Sequence, residues 1–393
     1  MRSFKTELNL NNKQKTLCAK HAGVARHAWN WALDVCREAY ASKQKRPSAI
    51  DLHKKLVAEV KSIHAWYYEV SKCAPHQALR NLDVAYKRFF KKLGGFPKRK
   101  KKGRRDSFYL ENPNKVGIQI QGKRIKVPVL GWLRTFEKLP TCNPKSCCIS
   151  CRAGRWFISF RLDSLPQPTP KPHERVGVDL GISTLATLST GVDFKNPRAF
   201  RSNQIKLKNL QRKFNRQAKG SNNRAKTKLK IQRLHFRIAN IRANAIHHLT
   251  SHLSKNHAAI VIEDLNVRGM LKNRKLAKSI ADVGMYEFRR QIEYKCKWYG
   301  SELRIVDKFF PSSRLCSSCG NKKETLSLSE RVYVCDACGF EINRDFNASV
   351  NLRNAVSSTV YACGATVSPS ESLAGCCEAG IKRQSTLVDS SRF

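Results

Sequence analysis

Four cysteines in two close pairs are the most distinctive chemical feature of the sequence. Cys316 and Cys319 form one C-x-x-C, and Cys335 and Cys338 form a second, with 15 residues between the pairs. This spacing is typical of sites in which four thiolates bind one Zn²⁺ tetrahedrally. A glycine follows each pair and allows the backbone to turn tightly beneath the thiolates. Because the segment is too short to bury a core of its own, we expect one structural zinc to supply most of its folding free energy.

Three acidic residues stand out because of the apolar or helical segments around them. Asp179 interrupts an apolar strand, Glu263 ends another, and Asp345 begins a segment with helical character. Carboxylates that converge from separate elements can bind two Mg²⁺ or Mn²⁺ ions about 3.5–4 Å apart, which together clamp a scissile phosphate. The alternative is a set of unrelated buried acids, each paired with an arginine or lysine. Spacing alone leaves both interpretations open.

The charge of the chain indicates a polyanionic partner. Its 393 residues include 75 Lys and Arg against 29 Asp and Glu, giving a formal net charge of +46. Such self-repulsion favours nucleic acid as the partner. A dense basic segment is either a solvated loop or a phosphate-binding arm, and these interpretations are compatible. Its seven positive residues are Lys98, Arg99, Lys100, Lys101, Lys102, Arg104 and Arg105.

Composition also bears on the location of the protein. The sequence has no run of about 18 apolar residues and no signal-peptide core at its N-terminus, which argues against a membrane partner. The 15 cysteines are typical of a reducing compartment, where they act as metal ligands or small core residues. Cys147 and Cys151 alternate with an apolar residue, which predicts the buried face of a strand. We therefore expect a soluble, intracellular protein.

The elements that must position these residues follow from the periodicity of the chain. Residues 2–10 alternate as a short strand, and residues 13–93 have helical spacing typical of a small bundle. Period-two segments between residues 107 and 162 predict a small β-barrel, which the first strand could join. Residues 164–172 form a proline-rich linker. Beyond it, two long basic helices over residues 203–254 separate the strands that carry Asp179 and Glu263. We expect these helices to bury one face and to present the other, rich in Arg and Lys, to phosphates.

Several motifs together resemble one family. GVDLGI, VIEDLNV, the FPSS-x-x-CSSCG to CDACG segment and RDFNAS-x-N are similar to the RuvC-like nuclease core of TnpB, the transposon-encoded RNA-guided DNA endonuclease related to type V CRISPR effectors. The resemblance covers roughly residues 1–365 and implies a cytoplasmic, prokaryotic, nucleoid-associated protein. It implies an α+β multidomain fold: a β-barrel wedge domain with an inserted helical bundle, then an RNase H-like (RuvC) α/β domain with an inserted four-cysteine zinc knuckle.

The resemblance also implies domain boundaries. The wedge domain spans residues 1–12 and 107–165, and the helical recognition domain spans residues 13–106. The RuvC-like domain spans residues 173–310 and 345–365, with the zinc-binding insertion at residues 311–344. Residues 366–393 match nothing in the family, and we expect a disordered tail there.

The family's catalytic acids fall by position on Asp179, Glu263 and Asp345. The sequence departs from the family at Asn343, where an aspartate is usual, although the metal-binding acid is the one after Arg344. The implied function is DNA cleavage by a monomer on one guide RNA from the element's own transcript, at double-stranded DNA with a short adjacent motif. The alternatives are a non-cleaving guided DNA-binding protein, an accessory transposition protein, and a DNA-joining transposase with the same fold.

Overall fold

The computed structural model describes residues 2–112, 117–163, 166–327 and 330–355. Outside them lie the expected tail at residues 366–393, residues 356–365 of the expected nuclease domain, residues 113–116 within the region of predicted strands, and the first two residues of the predicted linker. The chain divides into two compact units. The first unit comprises Met1–Lys171, Asn196–Asn256 and Met270–Ser301, and the second comprises Pro172–Lys195, His257–Gly269 and Glu302–Phe393.

Helices lie in both units where the sequence showed helical periodicity. A capping box between Asn11 and Gln14 begins the first helix, and the second continues as a π-helical turn over Leu56–Lys61. The helices are α1 Asn12–Ala41, α2 Ala49–Lys55, α3 Cys73–Phe90, α4 Ala199–Arg216, α5 Asn222–Asn256, α6 Val267–Met270, α7 Ala277–Val283, α8 Met285–Tyr299 and α9 Arg344–Asn354.

The strands form three sheets in the described part of the chain. They are β1 Arg2–Asn9, β2 Ser107–Glu111, β3 Gln119–Gln121, β4 Arg124–Val127, β5 Gly131–Thr135, β6 Ser146–Arg152, β7 Arg155–Leu162, β8 His173–Asp179, β9 Thr184–Leu188, β10 Asp193–Lys195, β11 His257–Glu263, β12 Glu302–Val306, β13 Val332–Val334 and β14 Glu341–Asn343.

The first unit is built on an antiparallel sheet in the order β2-β6-β7-β1-β5-β4-β3. Strand β1 lies between β7 and β5, with Phe4 opposite Phe160, so the prediction that the opening strand joins this sheet is confirmed. Apolar side chains from α1, α2, α3 and the sheet form one core. Cys147 is 1% exposed within it, as its alternating pattern predicted.

The basic helices α4 and α5 belong to the first unit and contact each other. The carboxylate of Asp282 on α7 accepts hydrogen bonds from the backbone N–H of Phe200 and pairs with Arg242 at 2.8 Å. Lys295 on α8 is 4% exposed, and its ammonium donates to the carbonyl of His247 and to the hydroxyls of Thr250 and Ser251. These contacts join α5 to α7 and α8 through the buried polar side chains of Asp282 and Lys295.

The second unit contains a five-stranded sheet in the order β10-β9-β8-β11-β12. Strands β8, β11 and β12 are parallel, and β9 and β10 are antiparallel to their neighbours. Helix α9 packs on β8, β9 and β11, and β13 pairs with β14 as a separate hairpin. No helix in the described residues is long and apolar enough to cross a membrane.

Candidate functional site

Asp179 and Glu263 lie at the ends of neighbouring parallel strands. Strands β8 and β11 pair with Gly177 opposite Val261 and Val178 opposite Ile262, and each strand ends in its acid one or two residues later. Continuing this register places Glu263 beside Asp179 on the same face of the sheet. The carboxyl ends of parallel strands meet at one sheet edge, where α/β proteins bind ligands.

Helix α9 brings Asp345 over the same edge. A Cβ atom at Gly177 would lie only 2.0 Å from the carbonyl oxygen of Ser349 and 2.5 Å from the amide nitrogen of Arg353, so the helix backbone rests directly on this glycine. Asp179 lies two residues after Gly177 on the same strand face, and Asp345 lies one helical turn before Ser349. The close approach therefore faces Asp345 toward Asp179.

The electrostatics of the three acids reflect this convergence. Burial first, and then the charges of Asp345 and Glu263, raise the pKa of Asp179 to about 7 against the opposing effect of Arg344. Burial also raises the pKa of Glu263. In the described part of the chain neither Asp179 nor Glu263 forms an ion pair with lysine or arginine. The arrangement favours a shared acid cluster over three independent acid–cation pairs.

The donor set of this cluster suits hard divalent cations. Carboxylate oxygens are the ligands that Mg²⁺ and Mn²⁺ prefer, and mutual repulsion among acids is relieved when a cation lies between them. The acids are looser than the cysteines: among the described residues, only the four-cysteine group has all its ligand atoms within 4.8 Å of one another. Two ions about 3.5–4 Å apart require such a wider set of ligands.

Asn343, where the sequence departs from the family pattern, has a structural role. Its side-chain oxygen accepts hydrogen bonds from the backbone N–H groups of Asp345 and Phe346, at 3.0 and 3.1 Å. It is therefore the N-cap of α9, a position that Asn and Asp fill about equally well. The substitution leaves the start of the helix and the backbone of Asp345 supported.

The four cysteines form a cluster with the dimensions of a tetrahedral metal site. The Sγ atoms of Cys316 and Cys338 are 3.7 Å apart, and those of Cys319 and Cys335 are 3.6 Å apart. Four ligands at the usual Zn–S distance of about 2.3 Å are separated by about 3.8 Å, so the cluster fits zinc. All four thiols are free of disulfides. The residues present therefore fit the structural zinc expected from the sequence.

The backbone around the cysteines favours thiolate ligands. Both following glycines, Gly320 and Gly339, have positive φ angles of 78° and 68°, as expected for tight turns beneath the sulfur atoms. Backbone N–H groups directed at Cys335, that of Cys338 first, lower its pKa to about 6. A thiolate is the form that binds metal. Beneath the cluster Tyr333 is fully buried and donates to the carbonyl of Arg314.

The basic segment at residues 98–105 is anchored at its beginning and exposed at its end. Trp29 Nε1 donates to the carbonyl of Lys98 at 3.1 Å, and the ammonium of Lys100 lies 4.0 Å from the Trp29 ring centroid. Arg99 forms a two-point ion pair with Asp34. The remaining cations have exposed side chains and no ion pair in the described part of the chain; they are Lys101, Lys102, Arg104 and Arg105.

A second basic surface lies on the two helices that the sequence predicted to present an Arg- and Lys-rich face to phosphates. It is a cleft of about 650 Å³ in the first unit, lined by β7, α4 and α5. Arg155 at its edge pairs with Glu7 at 3.3 Å, whereas the other four cations form no ion pair in the described residues. These cations, which we call the cleft cations, are Lys206, Lys230, Arg233 and Arg237. The last three have helical spacing on α5, in agreement with the basic face expected over residues 203–254.

Comparisons with known proteins agree on one group of relatives. Residues 158–274 match the family described as "Probable transposase", residues 286–352 match "Cas12f1-like, TNB domain", and residues 1–45 match "Helix-turn-helix domain". A putative RNA-guided DNA endonuclease of Streptomyces pristinaespiralis is 36% identical over 94% of this chain and 92% of its own length.

Two further comparisons extend this group. The putative RNA-guided DNA endonuclease InsQ of Escherichia coli K12 is also 36% identical, over 93% of this chain and 95% of its own. A solved structure titled "Cryo-EM structure of the Cas12f1-sgRNA-target DNA complex" aligns with 90% of this chain and 98% of its own at 15% identity. Its TM-score of 0.36 is too low to bear on the fold.

Proposed function

Because the chain belongs to the family of transposon-encoded RNA-guided DNA endonucleases, we propose that it cuts DNA at the site formed by Asp179, Glu263 and Asp345. The observation that carries this assignment is the helix α9 resting on Gly177, which brings three acids from β8, β11 and α9 to one sheet edge. Two of these acids have raised pKa values and form no ion pair with a cation among the described residues, as expected for ligands of a divalent cation.

The finer architecture is part of the proposal. The seven-stranded sheet corresponds to the β-barrel wedge domain at residues 1–12 and 107–165, and α1 to α3 to the recognition domain at residues 13–106. The parallel strands β8, β11 and β12 with α9 are the basis of the RNase H-like domain at residues 173–310 and 345–365. The cysteine cluster is the zinc-binding insertion at residues 311–344.

The chemistry follows from the ligands. Two Mg²⁺ or Mn²⁺ ions, when bound, supply charge neutralisation at the attacking water and at the leaving 3′ oxygen of a phosphodiester. Asp179, Glu263 and Asp345 hold those charges at one place and need no nucleophilic side chain. Arg344, paired with Asp345 at 3.4 Å, limits the rotation of that carboxylate. Cys316, Cys319, Cys335 and Cys338 hold one structural zinc.

Guide and target would be bound by the basic surfaces. The exposed part of the segment at residues 98–105 and the cleft cations form no ion pair with an acid in the part of the chain that the structure describes, and a phosphate backbone would neutralise their charge. We propose a guide RNA from the element's own transcript, double-stranded target DNA with a short adjacent motif, and a monomer on one RNA. Such a complex would act in the cytoplasm at the nucleoid.

The test separates cutting from binding. Protein loaded with RNA from the element's flanking transcript is incubated with matching DNA and Mg²⁺, and cleavage and target binding are measured independently. Asp179→Ala and Glu263→Gln should abolish cutting and leave binding within about twofold, because the basic surfaces are intact. The control is Asp193→Ala, which removes an exposed acid on β10 of the same unit and should change neither measurement.

The alternatives predict different results. Cutting by Asp179→Ala at the wild-type rate would exclude these acids as the catalytic site. A wild-type protein that binds its guided target and never cuts would instead be a non-cleaving DNA-binding or accessory transposition protein. Joined rather than simply cleaved DNA ends would identify a strand-transfer activity.

A further inference from the structure

The segment that enters the cysteine cluster is held on α9 by a buried asparagine. Asn347, which is fully buried, accepts a hydrogen bond from the backbone N–H of Ser317 at 3.0 Å and donates to the carbonyl of Leu315 at 2.6 Å. Both polar atoms of its amide are therefore used on the two residues that flank Cys316. Asn347 itself lies two residues after Asp345 on the same helix.

A second buried asparagine holds the beginning of that segment one turn further along α9. Asn351 is 6% exposed and donates to the carbonyls of Ser312 and Leu315 at 2.8 and 2.7 Å. Buried amides cost several kcal/mol unless their hydrogen bonds are satisfied, and apolar side chains would fill the same space without that requirement. Satisfied buried amides fix one arrangement of the two segments.

The same segment reaches the acid cluster at its other end. Ser312 is 5% exposed, and its hydroxyl interacts with the carboxylate of Glu263. Phe310, two residues earlier, packs against Val261 of β11 and Leu352 of α9. Residues 310–317 thus contact the strand of Glu263 and the helix of Asp345, and they include Cys316, the first ligand of the cysteine cluster.

We propose that Ser312, Asn347 and Asn351 are positioning residues that couple the cysteine cluster to the acid cluster. Metal binding by the cysteines fixes residues 312–317 against α9, and this segment in turn fixes the carboxylates of Glu263 and Asp345. The inference rests on the proposed function for the identity of the acid site. It adds that the knuckle determines the affinity of that site for divalent cations.

The coupling must be reciprocal. If zinc in the cysteine cluster tightens binding of a divalent cation at the acids, that cation must tighten zinc binding by the same factor. Partners that orient metal ligands typically contribute about 10- to 100-fold in metal affinity. We therefore expect losses of that size when the asparagines no longer hold the segment, and a smaller loss, about 10-fold, when only the Ser312 hydroxyl is removed.

The experiment measures metal binding without DNA or cleavage. Mn²⁺ affinity of the zinc-loaded full chain is determined by electron paramagnetic resonance of free Mn²⁺, with Asp179→Ala marking the signal that belongs to the acid cluster. The variants are Asn351→Leu, which keeps volume and removes both hydrogen bonds, and Ser312→Ala. Ser312→Thr restores the hydroxyl, and Asn354→Leu changes an exposed asparagine on the same helix.

The expected result is weaker Mn²⁺ binding by Asn351→Leu and Ser312→Ala, near wild-type binding by Ser312→Thr and Asn354→Leu, and one zinc per chain in all of them. Competition with a zinc chelator should give a higher zinc affinity in Mg²⁺ for the wild type but not for Asn351→Leu. If Asn351→Leu loses its zinc, the coupling is tested with Ser312→Ala alone, because that variant leaves the backbone contacts of the cysteine segment unchanged.

Unchanged Mn²⁺ affinity in Ser312→Ala and in zinc-loaded Asn351→Leu would overturn the coupling while leaving the proposed function intact. Failure of the proposed function can be distinguished from failure of the coupling. A wild type that cuts no guided DNA would fail the cleavage test whatever its Mn²⁺ binding. A wild type with no Mn²⁺ signal that depends on Asp179 would overturn the acid site and the coupling together.

Discussion

Substitution of Gly177 by alanine should reduce cleavage without weakening target binding, although all three acids remain in the chain. The added Cβ would lie 2.0 Å from the carbonyl oxygen of Ser349 and 2.5 Å from the amide nitrogen of Arg353. Both are backbone atoms, so no side-chain rotation relieves the contact. To restore an ordinary separation of 3.4 Å, α9 must move from β8 by about 1.4 Å.

That displacement carries Asp345 away from Asp179. Misplacement of a reacting group by about 1 Å can reduce a rate by roughly 100-fold, so we expect Gly177→Ala to lose at least that factor in single-turnover cleavage. The overpacking should cost about 1–3 kcal/mol, which a domain with about 5–15 kcal/mol of stability tolerates. Target binding should remain within about twofold, because no basic surface is changed.

The assay uses RNA-loaded protein in excess over labelled target DNA, with binding and zinc content measured on the same preparations. Gly95→Ala is the matched control, because a Cβ at Gly95 meets no atom within 4 Å, and it should cut at the wild-type rate. Cleavage by Gly177→Ala within about threefold of the wild type would show that α9 does not position the acids. The convergence inferred from this close approach would then be wrong.

Three further predictions concern the zinc, the charge and a buried lysine. Cys335→Ser should lower the zinc content from one per chain and reduce cleavage, because three thiolates hold the ion less tightly. Replacing the four exposed cations of the basic segment by glutamine should reduce the log–log salt slope of binding by up to about 3, at about 0.7–0.9 per phosphate contact, whereas Arg99→Gln should change it less because Asp34 already neutralises that charge. Burial lowers the pKa of Lys295 to about 8, so protonation of the buried amine destabilises the folded state as the pH falls toward and through 8. The free energy of unfolding should therefore rise by about 1 kcal/mol between pH 7 and 9, relative to Lys295→Met.

Each of these three predictions can be contradicted by one measurement. Full zinc content in Cys335→Ser, measured by elemental analysis, would remove that cysteine from the ligand set. An unchanged salt slope after the four glutamine substitutions would show that the segment does not contact phosphate. Parallel melting temperatures of the wild type and Lys295→Met from pH 7 to 9 would mean that the three acceptors around the ammonium offset its burial.

Local patterns in the sequence were sufficient for much of the fold. Paired cysteines, each followed by a glycine, predicted a cluster that the structure brings to tetrahedral separations, because the ligands lie in two short turns. Apolar runs ending in acids placed Asp179 and Glu263 on strands, and parallel pairing aligned their ends. The pattern at Asp345 predicted a helix start, which the cap of Asn343 provides.

Other features depend on contacts that no local pattern contains. In the sequence alone, Gly177 is an ordinary strand residue. Its role depends on α9, which begins more than 160 residues later and packs against it. The amides of Asn347 and Asn351 show their role only when their acceptors are known. The cleft cations lie on two helices and border β7, so only the packed first unit brings them together.

The position of β1 at the centre of its sheet has a consequence for synthesis of the protein. Among the described strands, β1 pairs with β5 and β7, whose residues 131–135 and 155–162 are made more than 120 residues after it. Contacts this distant in sequence form slowly, and the exposed edges of an unpaired strand favour aggregation until the contacts have formed. Deleting residues 2–9 would therefore remove the strand between β7 and β5 and divide the sheet, instead of shortening an edge. A tag fused close to Arg2 would interfere with the pairing of β1, the slowest part of folding.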